Sequence, residues 1–339
     1  MGSAGAPPAA SGAPPLASDV DGAHRSASTS REDASGEAPD AAGEAPALPN
    51  SCATFRFCAP LTGSMFGAMK FGICNEIFKD WKLDDTFTFA SKAGYDFVEI
   101  APFTIAKYVT EISSAERARI KDAAARAGIG ISGLHWVLVQ AEGMYLTTPD
   151  AAMRAATARY FVELVDCCAD LGGTRIIVGS PKQRDVIEGV SYEQAWVWAT
   201  DTFRDAVRRA EDRGVVICFE PLAPAETNFV NTAAEGIRFA EQFASPAMSI
   251  ILDVKAMCSE EKPIPQIIRE SAGKFAYFHA NDRNLKGPGF GDVDFHPIAA
   301  ALRDAGYDGT VSVEVFKFEE GAEAIATRSI DYLRRVFAA

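Results

Sequence analysis

Eight strand-like runs, each followed by a helical segment, predict an α/β chain closed into a (β/α)8 barrel. Three observations carry that expectation. Strand formers gather around Phe71, Val98, Ile131, Ile177, Ile217, Ile251, Tyr277 and Val313. Gly94, Gly128, Gly172, Gly214 and Gly306 each stand shortly before one of these runs, where a glycine suits the left-handed position that ends a helix. The eight units occupy about 270 residues, the size of one such barrel. No run leads into a GxGxxG or P-loop sequence, so the nucleotide-binding version of the class has no support here.

The barrel is expected over residues 66–339, behind a tail and linker at 1–65. Up to about Asn50 the tail is Ala, Gly, Pro, Ser and acidic residues, with almost no large apolar side chain to offset chain entropy, so it is expected to be disordered. It lacks a basic stretch followed by an apolar one, and its few arginines sit among Asp and Glu, which argues against secretory or mitochondrial targeting. No stretch is apolar for the eighteen or so residues of a spanning helix, so no membrane partner is expected. The net charge of −13 repels phosphates and argues against a nucleic-acid partner. Seven scattered cysteines look like buried thiols in a reducing compartment, with the cytoplasm the expected location.

Along the barrel, the strand over 70–74 feeds a helix near 84–93. Gly94 stops it before the strand over 95–100. The phrase Ala93-Gly94-Tyr95-Asp96 returns as Ala305-Gly306-Tyr307-Asp308 ahead of the last strand. Helix starts carry capping boxes at Ser113 with Glu116, Ser191 with Gln194 and Thr232 with Glu235, and Pro149 fits a first helical turn. Strands five to eight end in ligand types: Glu220 after 215–219, Asp253 after 249–252, His279 after 275–278 and Glu314 after 311–313. In a closed barrel these ends share one mouth, so the four side chains can converge. Three carboxylates and one imidazole form an oxygen-rich set suited to Mn²⁺, Mg²⁺ or Co²⁺ with positions left for substrate oxygens.

Other candidates are weighed against plainer roles. His135 and Trp136 end the third strand, and alternation lets one of them face the mouth; Trp136 there could pack on the apolar face of a sugar, or simply fill core. Glu99 either supports the site or pairs with a lysine or arginine. Lys255, two residues beyond Asp253, faces the mouth if the strand stays extended and reaches into water if it does not. Cys74 and Cys258 lie near strand ends, where buried structural thiols are the commoner case. His296 reads as structural, and His24 lies in the tail.

From about Ala68 to the C-terminus the chain resembles the xylose-isomerase-like sugar isomerases and epimerases, and within them the ketose 3-epimerases. The resemblance rests on Cys218-Phe219-Glu220-Pro221-Leu222, on Glu226 followed by Asn231-Thr232-Ala233-Ala234-Glu235-Gly236, on Leu252-Asp253, on His279 with Pro288-Gly289, and on Gly306-Tyr307-Asp308-Gly309 leading to Glu314. It implies a divalent ion, usually Mn²⁺ or Co²⁺, held by Glu220, Asp253, His279 and Glu314, with the two glutamates as the acid/base pair and Glu226 contacting the sugar. A homo-oligomer is implied too. Two positions depart from the family. Ala256 stands where the family has a histidine three residues after the metal aspartate, and Leu285 stands where it has a substrate-binding arginine, with Arg283 and Lys286 close by.

Such a site permits proton transfer next to a carbonyl. A divalent ion on a substrate carbonyl and hydroxyl acidifies the C–H between them and stabilises the enediolate, while one carboxylate takes the proton and a second returns it on the opposite face. Return to the adjacent carbon would give an isomerase, and loss of a hydroxyl a dehydratase, of a sugar acid, keto-inositol or phosphorylated sugar. A multinuclear zinc phosphodiesterase on the same fold would need more histidines than His135, His279 and His296. A non-catalytic sugar-binding barrel would have no need of two acids flanking an ion.

Overall fold

The computed structural model describes residues 69–338, and the expectations for the 1–65 tail lie outside the described residues. Eight parallel strands close into a barrel in chain order, the last pairing with the first. They are β1 Lys70–Cys74, β2 Phe97–Ile100, β3 Gly130–Leu134, β4 Arg175–Val178, β5 Val216–Phe219, β6 Met248–Asp253, β7 Phe275–Ala280 and β8 Thr310–Val313. The helices are α1 Leu83–Ala93, α2 Ser114–Arg126, α3 Ala151–Asp170, α4 Tyr192–Arg213, α5 Ala233–Glu241, α6 Val254–Met257, α7 Ile264–Glu270, α8 Phe295–Asp304 and α9 Ala322–Ala338.

Local signals act where the sequence places them. Gly94 follows α1 at φ 102° and Gly214 follows α4 at φ 67°, each donating its N–H back to the last turn. Ser113, Ser191 and Thr232 accept from the backbone N–H three residues on. Pro149 differs: Asp150 is the residue that caps α3, accepting from Ala152 and Met153, so the proline stands outside the helix.

Alternation along the strands sorts the barrel into an outer and an inner core. Outward residues such as Phe219, Leu252 and Phe278 pack under helix side chains including Phe203 and Phe239, with the Phe219 and Phe239 ring centroids 4.6 Å apart. Inward residues Ile177, Cys218, Ile251 and Tyr277 fill the barrel floor. Two residues beyond three of these, on the same face, come Glu220, Asp253 and His279. The β6–β7 register pairs Asp253 with His279 directly, and the β7–β8 register pairs His279 with Ser312, two residues before Glu314.

Candidate active site

At the C-terminal mouth of the barrel, Glu220, Asp253, His279 and Glu314 are all buried, and one donor atom from each lies within 4.8 Å of the others. Asp253 is held twice. Its Oδ1 accepts from the Ala256 N–H at 2.7 Å and caps α6, and its Oδ2 accepts from the Asn281 amide at 2.5 Å. Glu314 is held by Trp136, whose indole N–H donates to Oε1 at 2.8 Å. Glu220 leans against Gly179, where a Cβ would stand 1.8 Å from its Oε2.

The donor set fits a divalent ion. His279 Nδ1 and Glu314 Oε2 are 3.2 Å apart and both are buried without a well-formed hydrogen bond, so neither atom is committed elsewhere and both are available to an ion. The other face of His279 is fixed: Nε2 contacts Glu99 at 3.1 and 3.2 Å. This carboxylate–imidazole pairing is the usual support of a metal-binding histidine. Glu99 also lies 3.7 Å from His135 Nδ1, and His135 Nε2 contacts Glu76 at 2.6 Å.

Burial and charge split the acids. Burial, then the neighbouring charges of Glu314 and Asp253, raises the Glu220 carboxyl to about 8. Burial likewise raises Asp253, against the pull of Lys255. Burial opposes ionisation of Glu314 as well, but the adjacent His279 outweighs it and holds this carboxyl below its ordinary value. Glu99 behaves the same way, drawn down to about 2 by His279 and His135 despite burial.

Above these residues opens a cavity of about 410 Å³, with Glu220, Glu226, Lys255, Glu314, Trp136 and Phe316 in its lining. Trp136 is stacked between Phe103 and Phe316 at centroid distances of 6.1 and 5.9 Å. Strict alternation fails here. β3 ends at Leu134 and Trp136 adopts φ 50°, so His135 reaches Glu76 below while the indole still reaches the cavity. Lys255 reaches the cavity by another route than an extended strand: the chain turns into α6 directly after Asp253, and the ammonium donates to Glu226 Oε1 at 2.7 Å and lies 4.2 Å from the Phe316 ring centroid. Burial would lower this lysine, but Asp253, Glu220 and Glu226 raise it above its ordinary value.

Two expected substrate contacts are not brought here. Arg283 is exposed and lines a separate cavity of about 700 Å³ with Cys258 and Asp282, and Lys286 is paired with Glu320. Glu99 has histidine partners rather than a lysine or arginine. Cys74 is buried with Sγ 3.7 Å from Glu99 Oε2, and His296 is exposed, bonded to Asp294 at 2.7 Å. Sequence reasoning overlooked Glu76, Asn281 and Gly179. The first two stand two residues beyond Cys74 and His279, the same spacing that put the ligands on one face.

The family described as xylose isomerase-like TIM barrel matches residues 87–336. D-psicose 3-epimerase from Agrobacterium fabrum is 29% identical over 231 residues, spanning 67% of this chain and 76% of that protein. 3-Dehydro-D-guloside 4-epimerase from Escherichia coli is 23% identical over 253 residues, 73% of this chain and 92% of that one. Among solved structures, a D-psicose 3-epimerase crystallised in the presence of D-fructose superposes with a TM-score of 0.70 at 25% identity, covering 80% of this chain and all of that one.

Proposed function

This chain belongs to the xylose isomerase-like TIM barrel family and is a carbohydrate epimerase, and from that premise we propose a divalent-metal-dependent ketose 3-epimerase that moves a proton at the carbon beside the substrate carbonyl. The observation that carries this reading is the convergence of Glu220, Asp253, His279 and Glu314 within 4.8 Å at the ends of four consecutive strands. These four would hold the ion, Mn²⁺ foremost, with Co²⁺ or Mg²⁺ able to take its place. When bound, the ion supplies Lewis acidity to the substrate carbonyl and lowers the barrier to breaking the adjacent C–H bond.

The protein's own groups do the rest. Glu220 and Glu314 come from β5 and β8 with two strands between them, so they address a substrate from different sides. Already without the ion their environments differ, Glu314 being held low beside His279 and fixed by Trp136 while Glu220 is raised to about 8, and the two form the acid/base pair, one taking the proton and the other returning it. Trp136 and Phe316 offer the apolar face of a sugar a wall, and Glu226 and Lys255 offer its hydroxyls an acceptor and a donor. The buried Cys74, Cys167, Cys168 and Cys218 suit a reducing compartment, so we place the enzyme in the cytoplasm, with a homo-oligomer as the assembly the family resemblance favours.

A second reading has a specific observation behind it: Lys255 in the cavity favours an acidic or phosphorylated substrate handled by isomerisation or dehydration on the same residues. Both are tested by incubating the protein with Mn²⁺ and a panel of ketoses, sugar phosphates, sugar acids and inososes in D₂O, with products followed by NMR. Deuterium at C3 of a neutral ketose with inversion is the expected result, lost along with Mn²⁺ binding in Asp253→Ala. Wild-type Mn²⁺ affinity in that variant, measured by calorimetry, would place the site elsewhere.

A further inference from the structure

Arg184, in the loop after β4, is fully buried and among the largest fully buried side chains of the described residues. None of its three guanidinium nitrogens has a hydrogen-bond partner, and the group lies over the Phe219 ring at 4.8 Å from the centroid. The loop does not depend on it for anchorage. Leu146 N–H donates to Gln183 O at 2.8 Å, Thr147 Oγ1 to Asp185 O at 2.6 Å and Thr227 Oγ1 to Asp185 Oδ1 at 2.7 Å, fixing the backbone on both sides. Arg117 shows what a structural arginine does in this chain. Nearly as buried, it spends its donors on Ile112 O, Val109 O and Asp170 at 2.9, 2.9 and 3.0 Å.

An unpaired buried charge is costly, and an apolar residue of similar size would be more stable there. Burial disfavours the guanidinium's charge, and the neighbouring carboxylates of Glu220, Glu226 and Asp185 offset part of that penalty without bonding it. Glu220 accepts no side-chain hydrogen bond from any described residue, and Glu226 Oε2 is buried without a partner. Beside the Glu99–His279 pair, the mouth holds four carboxylates, Glu220, Glu226, Asp253 and Glu314. Lys255 and a divalent ion together offset three of these four negative charges, and Arg184 is a second buried cation, its charge acting on Glu220 and Glu226.

We propose that Arg184 is a positioning residue of the active site, a fixed counter-charge to Glu220 and Glu226 that balances the negative charge a substrate gains when it loses a proton. This rests on the metal-dependent epimerase reading, and the test separates the two. In Arg184→Met the metal-free protein is expected to melt higher than wild type, and Mn²⁺ to bind at least as tightly by calorimetry, because the mouth is one charge more negative. Turnover is expected to fall by about tenfold or more with KM little changed, since charge stabilisation is withdrawn where the reaction develops charge. Arg184→Lys should recover most of it. Should the methionine variant not fold, Arg184→Gln serves in its place, with the same loss of kcat and the same recovery by lysine expected. A lower melting temperature with unchanged kcat, or equal kcat in the methionine or glutamine and lysine variants, overturns the inference. A wild-type protein that binds no Mn²⁺ and exchanges no substrate proton overturns the epimerase reading instead.

Discussion

Lys255 divides its ammonium between the Glu226 carboxylate and the face of Phe316, and its backbone N–H donates to Asn281, the residue that also holds Asp253. It therefore sits one hydrogen-bonded step from the proposed metal centre without being part of it. Lys255→Met keeps the stem and the backbone bond, so metal content should stay at the wild-type level. Loss of a hydrogen bond to a charged group costs about 1.5–3 kcal/mol. The variant should raise KM or lower turnover by a matching factor, most of all for anionic substrates in steady-state assays. Equal kinetics for neutral and anionic substrates would remove Lys255 from substrate choice.

Among elements, the short links between strand and helix decide the site, and Gly179 shows how little room they leave. The residue follows β4 directly, its φ lies outside the left-handed region, and a methyl there would meet Glu220 Oε2 at 1.8 Å. Gly179→Ala should therefore leave the melting temperature close to wild type while displacing the carboxylate, lowering Mn²⁺ affinity by about 10–100-fold as read by calorimetry. The barrel strands and the convergence of Glu220, Asp253, His279 and Glu314 were legible in the sequence, because each ligand type ends an apolar run and a two-residue step carries each onto the inner face. The turn after Asp253 was less legible. Val254-Lys255-Ala256-Met257 reads equally as strand or helix, and the deciding signal, an aspartate free to cap, was already assigned to metal. Nor does a sequence announce a left-handed tryptophan, which closure around Phe103 and Phe316 holds in place. Arg184 carries no pattern at all, since its meaning lies in partners it does not have.

For the molecule as a whole, the site is a store of charge that the metal-free protein must contain. Glu220 has its folded pKa raised from 4.5 to about 8, so its proton stabilises the folded state below 4.5, and that contribution is lost as pH rises through about 8. The raised Asp253 and His279 act in the same direction. Thermal melts of the metal-free enzyme should show stability falling across that window, and Mn²⁺ should restore more stability at its alkaline end than at its acid end. A melting temperature that climbs with pH across the window without metal would contradict the assignment. The first 48 residues should matter to none of this: their composition gives almost nothing to pack, so a chain beginning at Pro49 should keep the melting temperature and turnover of the full chain.

Closure of the barrel by β8 against both β7 and β1 also sets an order of assembly. Lys70 and Thr310 are partners across most of the chain, so this seam brings together its most distant strands and is slow to nucleate. Glu314 follows that seam directly, and Trp136, its hydrogen-bond donor, follows β3 on the far side of β1 and β2. During synthesis, β5 to β7 can present Glu220, Asp253 and His279 before the fourth ligand exists. For the proposed metal site, tight capture of the ion would therefore wait until the ring is shut, and uptake of Mn²⁺ by a refolding chain would time the final seam rather than the collapse that precedes it.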